Sequence, residues 1–581
     1  MSGGVGGERR RSAAPYLDSR RCVRSGRPAL ASGQMPDRER RWNGWGFADE
    51  SAPVPESART WLSKRLGAGD RLSAVPERDV RIPPARPVPD LPATTLSDPS
   101  SRLRHACGLG FPDVVRLRTG ALEAFPDAVC FPENTRQVVA VLQSAAAAEV
   151  ALVLRGGGTS VVGGITVRPG PRPTVVLTLD RLRGLASLDS VSLLATFRAG
   201  TLGPEVEGAL APCGLRLGHE PQSFEFSSVG GWVATRSAGQ RSTGIGKIDD
   251  LVAGLEVATP GGVWRLPAQP ASAAGPELRR LVIGSEGCLG VITEVTLRVR
   301  PLPECRDGVA VLVPGWSAGM EVCRALLQRG PVPEVVRLSD PDETSFGIAL
   351  TELPRLASSV RNAIFGLRRF RHGCLLLLEW AGSLQKVTLA RQTAAKVWRD
   401  SGGLALGRTG WQRWLDERFR HPYVRDALLS AGWGVDTLET ATRWSALAAL
   451  HNAVREAMTV AAQKAGFRTA VLCHLSHAYR DGASLYFTFL WPLRCGDEIG
   501  QWQAVKDAAS EAIISNGGTI THHHGVGTMH APYLEREVGE QGIAALAAVT
   551  RALDPQGFLN PGVLLLQTPE PGPRTPGGRE E

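Results

Sequence analysis

Paired cysteines and long apolar runs are the two features that this chain lacks. Its 581 residues include 10 cysteines without a CxxC spacing, which argues against a disulfide framework and against a structural zinc site. No run approaches the roughly 18 apolar residues of a membrane span, and the arginine-rich start lacks the apolar stretch of a signal peptide. We therefore predict a cytoplasmic protein of a reducing compartment, which is at most peripheral to a membrane.

Positive charge is concentrated at the start of the chain. The net charge is +9, and arginines cluster between Arg9 and Arg41. Such an arm can contact nucleic acid or anionic lipid. Because the arm has no periodic apolar face, we interpret residues 1–41 as a solvated, disordered basic leader and predict no nucleic-acid partner. Residues 568–581 are predicted to be a second disordered tail.

The hydrophobic pattern of the remaining chain predicts an α+β fold. Residues 42–124 are a mixed, partly helical region, in which Trp42 and Trp45 are interpreted as surface-docking hydrophobes. Residues 125–303 alternate short strands with glycine-bearing turns. Residues 304–500 form a second, α/β domain whose irregular order of strands and helices favours an antiparallel sheet. Residues 501–567 are a C-terminal segment with helices and a histidine cluster.

A glycine-rich loop follows the apolar run 150–154. The loop reads G-G-G-T-S from Gly156 to Ser160 and leads into an apolar, glycine-broken stretch. It is neither the GxGxxG of a Rossmann fold nor a P-loop, which ends in Gly-Lys-Ser/Thr. Glycines let backbone N–H groups approach an anion closely. The residues of the loop alone leave a phosphate cradle and a plain structural turn about equally open.

Three adjacent histidines, His522, His523 and His524, lie in T-H-H-H-G-V-G. Imidazoles exchange protons near neutral pH, so this triplet predicts acid–base chemistry. A metal site normally needs spaced carboxylate or cysteine partners, and we predict no metal.

Several motifs in a fixed order carry a family resemblance. They are R-W-N-G-W-G, G-G-G-T-S, G-H-E-P-Q-S-F-E-F-S-S-V-G-G, G-S-E-G-C-L-G-V-I, T-H-H-H-G-V-G and D-P-Q-G-F-L-N-P-G. From about Arg41 to Leu565 the chain resembles the alkyldihydroxyacetonephosphate synthase (alkylglycerone-phosphate synthase) family. That family lies within the vanillyl-alcohol-oxidase type of FAD-binding proteins.

The resemblance implies a fold, a cofactor and a reaction. The fold is a two-subdomain FAD-binding domain of the PCMH type, followed by a substrate (cap) domain, with C-terminal helices that close on the flavin domain. FAD is expected to be bound non-covalently. The reaction replaces the acyl group of acyl-dihydroxyacetone phosphate with a long-chain alcohol, without net redox change, in ether-lipid synthesis. The partners are a phosphorylated lipid and a fatty alcohol. Peripheral membrane contact and a homodimer are compatible with this interpretation, and the sequence offers no clear peroxisomal address.

The resemblance also assigns roles to single residues. Tyr486 matches the family's proton-transferring tyrosine, and His522–His524 match its histidine cluster, which we expect to hydrogen-bond to the phenol. Arg337 matches an arginine near the flavin. Arg425 matches the arginine that engages the substrate phosphate, for which a guanidinium fork is suited.

The residues expected to contact FAD belong to three of the motifs. Cys288 stands in one of them where the family usually has threonine. The expected contacts are Arg155, Gly156, Gly157, Gly158, Thr159, Ser160, Gln222, Ser223, Phe224, Ser227, Ser228, Gly230, Thr235, Ser237, Ala238, Glu286, Gly287, Cys288, Leu289, Gly290, Val291 and Ile292.

Two other functions remain open at this point. A FAD-linked oxidase or dehydrogenase of 2-hydroxy acids shares the Gly-Ser-Glu-Gly and Asn-Pro-Gly elements. A flavin-binding protein without catalysis is the third interpretation. Tyr486, the histidine triplet and Arg425 together favour the synthase.

Overall fold

The computed structural model describes residues 38–351 and 367–566, and it also places Val23 and Arg24 in a short strand. The predicted leader 1–41 and tail 568–581 therefore fall mostly outside the described residues. The end of the leader is a correction, because residues 38–41 are folded: Arg40 forms a β-bridge with Phe47, and Arg38 forms ion pairs with Asp49 and Glu50. Asp49 and Glu50 follow Arg38 in the chain and neutralise its charge.

The strands are short in the first half of the chain and longer in the second. In chain order they are β1 (Val23–Arg24), β2 (Thr94–Leu96), β3 (Ala128–Phe131), β4 (Ala151–Arg155), β5 (Thr174–Thr178), β6 (Leu185–Asp189), β7 (Leu194–Arg198), β8 (Leu215–Arg216), β9 (Val252–Thr259), β10 (Gly262–Leu266), β11 (Val291–Arg298), β12 (Arg300–Pro301), β13 (Cys305–Val313), β14 (Val335–Ser339), β15 (Cys374–Gly382), β16 (Leu404–Gly407), β17 (Trp433–Arg443), β18 (Ala470–Ala478) and β19 (Gly482–Pro492).

The longest helices lie in the second half. No described helix is long and apolar enough to cross a membrane. The helices are α1 (Glu56–Leu66), α2 (Pro99–Arg104), α3 (Phe111–Thr119), α4 (Thr135–Ala147), α5 (Gly203–Leu210), α6 (Val229–Ala234), α7 (Ser242–Ile245), α8 (Ile248–Leu251), α9 (Arg279–Val282), α10 (Trp316–Arg329), α11 (Pro341–Leu350), α12 (Leu384–Asp400), α13 (Thr409–Glu417), α14 (His421–Ala431), α15 (Trp444–Lys464), α16 (Glu498–Ser515) and α17 (Ala531–Leu553).

Two larger sheets and the two-stranded pair of β8 with β12 form the first half of the molecule. One has the strand order β2-β3-β5-β4, in which β5 lies parallel to both β3 and β4. Asn134 caps the crossover helix α4 by accepting the N–H of Gln137, and this helix buries Val138, Val141 and Leu142. The other sheet is antiparallel, with the order β10-β9-β11-β7-β6. Strands of both sheets share one hydrophobic core.

A large antiparallel sheet forms the second half, with the order β1-β13-β15-β14-β18-β19-β17 and β16 paired to β13. Successive side chains of a strand point to opposite faces. On β19, Leu485 and Phe487 enter the core shared with α10, α12, α15 and α16. Tyr486, which lies between these two residues, and Thr488, which follows them, line a cavity on the other face. The sheet therefore carries the core on one side and polar chemistry on the other.

The end of the chain returns to the first half. Leu559 forms a parallel β-bridge with Leu152, and the Asn560 side chain donates to the carbonyl oxygens of Gly164 and Glu286. The α+β fold and the return of the C-terminal segment to the first half of the chain, both predicted from the sequence, are confirmed.

One cysteine departs from the sequence argument. The structure gives eight described cysteines as free, whereas Cys305 is disulfide-bonded.

Candidate active site

One cavity of about 1010 Å³ joins the two halves of the molecule. Its first-half wall comes from the glycine loop after β4, the segment 221–238 and the turn before β11. Its second-half wall comes from the polar face of the large sheet and from α14. Tyr486, His523, His524, Arg337 and Arg425 all line this cavity. The structure therefore brings these residues next to the glycine loop, although they lie up to about 370 positions after it in the sequence.

Close packing explains the glycines of the loop. A Cβ on Gly157 would collide with the carbonyl oxygen of Phe226, and one on Gly156 would collide with Ser228 Oγ. Gly158 has a φ of +74°, a left-handed conformation that favours glycine. The loop is thus held against residues 226–228 with its backbone open to the cavity, as a phosphate cradle requires.

Three of the expected FAD contacts do not line the cavity: Phe224, Cys288 and Leu289. Phe224 is buried and stacks on Phe419 with ring centroids 5.1 Å apart. Cys288 points away from the cavity, and its thiol donates to the carbonyl oxygen of Val563. Leu289 is buried as well. The other expected contacts line the cavity, where they are joined by residues that the sequence prediction missed, among them Trp45, Gln240 and Asn560.

The R-W-N-G-W-G segment packs against the loop. Arg40 Nη1 donates to the carbonyl oxygen of Gly157 at 3.0 Å. Burial, and next the charge of Arg155, lower the pKa of Arg40 to about 10. Trp45 is buried, and its backbone N–H donates to Asp426 Oδ2 at 2.8 Å. The interpretation of Trp45 as a surface-docking residue is therefore wrong. The R-W-N-G-W-G motif, which contributed to the family resemblance, was the sequence signal that could have indicated its place at the cavity.

Two buried carboxylates hold the histidine turn. Glu439 of β17 accepts the backbone N–H groups of all three histidines of the triplet. Burial would raise the pKa of Glu439, but the surrounding histidines and N–H groups outweigh burial and hold it at about 2. Glu286 accepts the N–H groups of Val526 and Gly527, and burial raises its pKa to about 7. The sequence did not reveal either role.

Tyr486 contacts the histidines through its ring. Its hydroxyl donates to Thr437 Oγ1 at 3.0 Å. Its ring centroid lies 6.0 Å from that of His523 and 5.6 Å from that of His524. Among the described residues no histidine shares a hydrogen bond with its hydroxyl, so the expected phenol–imidazole bond is wrong at this position. Burial raises the pKa of Tyr486 to about 12.

A different tyrosine makes the phenol–imidazole bond. The hydroxyl of Tyr479 lies 2.7 Å from His522 Nε2. Lys247 Nζ donates to the carbonyl oxygen of His522 at 2.8 Å. Burial, and next the charge of Lys247, hold the pKa of His522 far below its ordinary value, and burial does the same for His523. Both imidazoles are therefore neutral at pH 7.

The two arginines differ in their surroundings. Arg337 donates to Glu343 at 2.8 Å and contacts His474 Nε2 at 2.9 Å, so its charge is already paired. Arg425 Nη1 donates to the carbonyl oxygen of Leu109 at 2.6 Å. Its Nε and Nη2 are buried and have no hydrogen-bond partner among the described residues. Buried polar groups normally have partners, so this edge of Arg425 is suited to an anionic ligand.

Two family models match the chain. The FAD binding domain matches residues 126–266, and the C-terminal domain of FAD linked oxidases matches residues 302–564. Alkyldihydroxyacetonephosphate synthase of Trypanosoma brucei brucei is 29% identical over 574 residues, which are 91% of this chain and 93% of that protein. The enzyme of Dictyostelium discoideum is 27% identical over 90% of this chain and 93% of its own. A solved structure of an alkyldihydroxyacetonephosphate synthase has a TM-score of 0.78 at 25% identity and covers 90% of this chain and 98% of that one. Over about 90% of its length the chain is similar to alkyldihydroxyacetonephosphate synthases, and its two halves match the two domains of FAD-linked proteins.

The cavity fits FAD, the ligand of the matched FAD binding domain. The glycine loop presents an open backbone whose glycines cannot be replaced without a collision. The 230–238 segment and the turn at 286–292 continue the same wall, and the volume of about 1010 Å³ exceeds that of many small-molecule sites. This part of the cavity is therefore the FAD site.

Proposed function

We propose that the chain is a FAD-dependent alkyl transferase of ether-lipid synthesis. It converts acyl-dihydroxyacetone phosphate and a long-chain alcohol into alkyl-dihydroxyacetone phosphate. The acyloxy group leaves as a fatty acid and the alkoxy group takes its place, so no electrons enter or leave. The finer expectations of non-covalent FAD, peripheral membrane contact, a homodimer and a cytoplasmic location belong to this proposal.

The observation that carries the proposal is the unpaired edge of Arg425. Its Nε and Nη2 are buried without a hydrogen-bond partner among the described residues, and Arg425 lines the cavity that also contains the glycine loop and Tyr486. Asp426 Oδ1 is 3.9 Å from Nε, which is beyond hydrogen-bond distance. A phosphate that binds both nitrogens would satisfy them and would hold the adjoining three-carbon unit inside the cavity.

The remaining steps belong to the chain's own proton-transfer groups. FAD, when bound, supplies an electrophilic centre for the substrate carbon without net oxidation. Tyr486 takes the proton from the carbon beside the carbonyl. Its own proton must leave, because burial keeps the phenol protonated at pH 7. His474 is engaged by Arg337 and Glu343, so we assign the accepting role to His523 and His524, whose rings lie beside that of Tyr486. The Tyr486 hydroxyl donates to Thr437 in this structure, so this transfer requires the hydroxyl to turn from Thr437 when substrate is bound.

A product assay tests the function directly. Purified holoenzyme with palmitoyl-dihydroxyacetone phosphate and hexadecanol should form the ether product anaerobically and without an electron-acceptor dye. A panel of 2-hydroxy acids with a dye runs in parallel. Oxidation of a hydroxy acid, with no ether product, would replace this proposal by the oxidase alternative.

Replacing Arg425 with alanine should weaken the binding of phosphorylated substrate. The loss of one charge-assisted contact costs about 1.5–3 kcal/mol, or about ten- to hundredfold. A dephosphorylated substrate analogue should bind equally to the variant and the wild type. Arg265→Ala, which removes a highly exposed arginine outside the cavity, is the matched control. Equal weakening of both ligands in Arg425→Ala contradicts the assignment.

A further inference from the structure

Three imidazoles meet beside the cavity, and one of them is outside the histidine triplet. His477 of β18 faces the turn, with its ring centroid 5.3 Å from that of His522 and 5.4 Å from that of His523. Each of the three rings offers a nitrogen, and these nitrogens lie within 4.8 Å of one another. His522 Nδ1 and His523 Nδ1 are 2.9 Å apart. Because His477 is distant from the histidine triplet in the sequence, the sequence alone does not predict this cluster.

The cluster has the chemistry of a transition-metal site. Neutral imidazole is the form that binds metals, and burial holds the pKa of His477 at about 3. The Nδ1 atom of His477 is buried and has no hydrogen-bond partner among the described residues. His522 and His523 place two ring nitrogens face to face, an arrangement in which at most one can donate a hydrogen to the other.

The surroundings of the cluster already orient its rings. The Tyr479 hydroxyl meets His522 Nε2, the nitrogen opposite the one that faces His523. A partner on the far nitrogen is what fixes most metal-binding histidines. Glu439 holds the backbone of the turn and contributes negative charge, whereas the ammonium of Lys247 opposes a cation. Three protein ligands leave a fourth position, as in open zinc sites.

We propose that His477, His522 and His523 form a binding site for a divalent transition-metal ion of the zinc type. The ion is coordinated by His523, which the proposed function uses as a proton acceptor. Because a coordinated His523 cannot accept the proton, metal binding inhibits the enzyme. Binding itself does not depend on the proposed function, whereas the inhibition does. An experiment can therefore contradict the metal site without contradicting the proposed function, and the reverse.

The test titrates Zn²⁺ into holoenzyme that carries no polyhistidine tag and measures the heat of binding by calorimetry. Absorption spectra recorded with Co²⁺ in place of Zn²⁺ are a second readout. The wild type should bind one ion per chain, and a tetrahedral Co²⁺ spectrum should appear. His477→Ala should weaken binding by more than about 100-fold, since loss of a direct ligand exceeds the 10–100-fold effect of an outer partner. Tyr479→Phe should fall within that 10–100-fold range. His477→Gln, which keeps the side-chain bulk, replaces His477→Ala if the alanine variant loses flavin or melts early.

Two further variants decide where the ion sits. Glu439, His523 and His524 form a second candidate group, but the Glu439 oxygens are already occupied by backbone N–H groups. His524→Ala and the exposed His372→Ala should therefore leave Zn²⁺ affinity unchanged. No binding by the wild type overturns the proposal. Loss of binding in His524→Ala with binding retained in His477→Ala overturns it as well.

Discussion

Replacing Tyr486 with phenylalanine is expected to lower alkyl exchange by about 10²–10⁴-fold, the usual contribution of general acid–base catalysis. Phenylalanine keeps the ring that contacts His474, His523 and His524, and only the hydroxyl is lost. Initial rates of ether formation at saturating substrate measure the effect. Flavin content should not change, because the predicted FAD contacts lie elsewhere on the cavity wall.

Tyr533→Phe is the matched control, since this half-buried tyrosine lies on α17 and does not line the cavity. Its variant should keep wild-type rates. The Tyr486→Phe defect should lie in turnover and not in the binding of phosphorylated substrate, which is assigned to Arg425. Wild-type turnover by Tyr486→Phe would remove the phenol from the mechanism.

Local motifs of the site were readable from the sequence because their chemistry lies in consecutive residues. Three consecutive glycines identify the loop 156–160 in the sequence. The structure shows why glycine is needed there, since neighbouring backbone and side chains exclude a Cβ at two of the three positions. The alternation along β19 likewise separates core from cavity residues by simple periodicity. Cys288 shows the limit of this reading, because a motif position does not reveal which way a side chain points.

Contacts between distant segments were not readable in the same way. Glu439 lies on a strand and resembles any other strand residue until the fold brings the backbone N–H groups of the triplet to it. The phenol–imidazole bond was expected at Tyr486 because that residue matched the family. Pairing of β17 with β19 supplies Thr437 as the partner of its hydroxyl. The bond forms instead at Tyr479, from the adjacent strand β18 and its turn.

An ionic cluster joins the two halves of the molecule beneath the cavity. Arg241, whose side chain is fully buried, pairs with Glu220 of the first half and with Glu334 and Glu379 of the second. Arg216 pairs with Glu334 at 2.6 Å. The charge of Arg241 and its neighbours outweighs burial and holds the pKa of Glu220 at about 2. Glu220 therefore remains ionised although it is away from water.

Replacing Arg241 with methionine should lower the free energy of unfolding by about 3–5 kcal/mol at pH 7. Methionine occupies much of the same volume, but the carboxylates around it lose their central partner, and uncompensated buried charge is strongly destabilising. Urea unfolding followed by tryptophan fluorescence measures the change. Arg265→Met is the matched control, because Arg265 pairs with Glu256 while its side chain is 73% exposed. Its effect should stay within about 1 kcal/mol.

The sign of the pH dependence separates lost charge from lost packing. In the wild type, the depressed pKa of Glu220 gives stability that is complete above its unfolded value near 4.3 and declines as pH falls toward 2. In Arg241→Met the buried Glu220 keeps Arg418 but loses Arg241, so its pKa should rise above the unfolded value and this group should add stability to the variant as pH falls from 7 to 5. Groups such as Glu286, whose pKa is about 7 in the wild type, contribute equally to both proteins. The difference between the two proteins should therefore shrink over this range. A difference that is the same at both pH values would indicate that Arg241 acts through its bulk, because a cavity left by lost packing does not titrate.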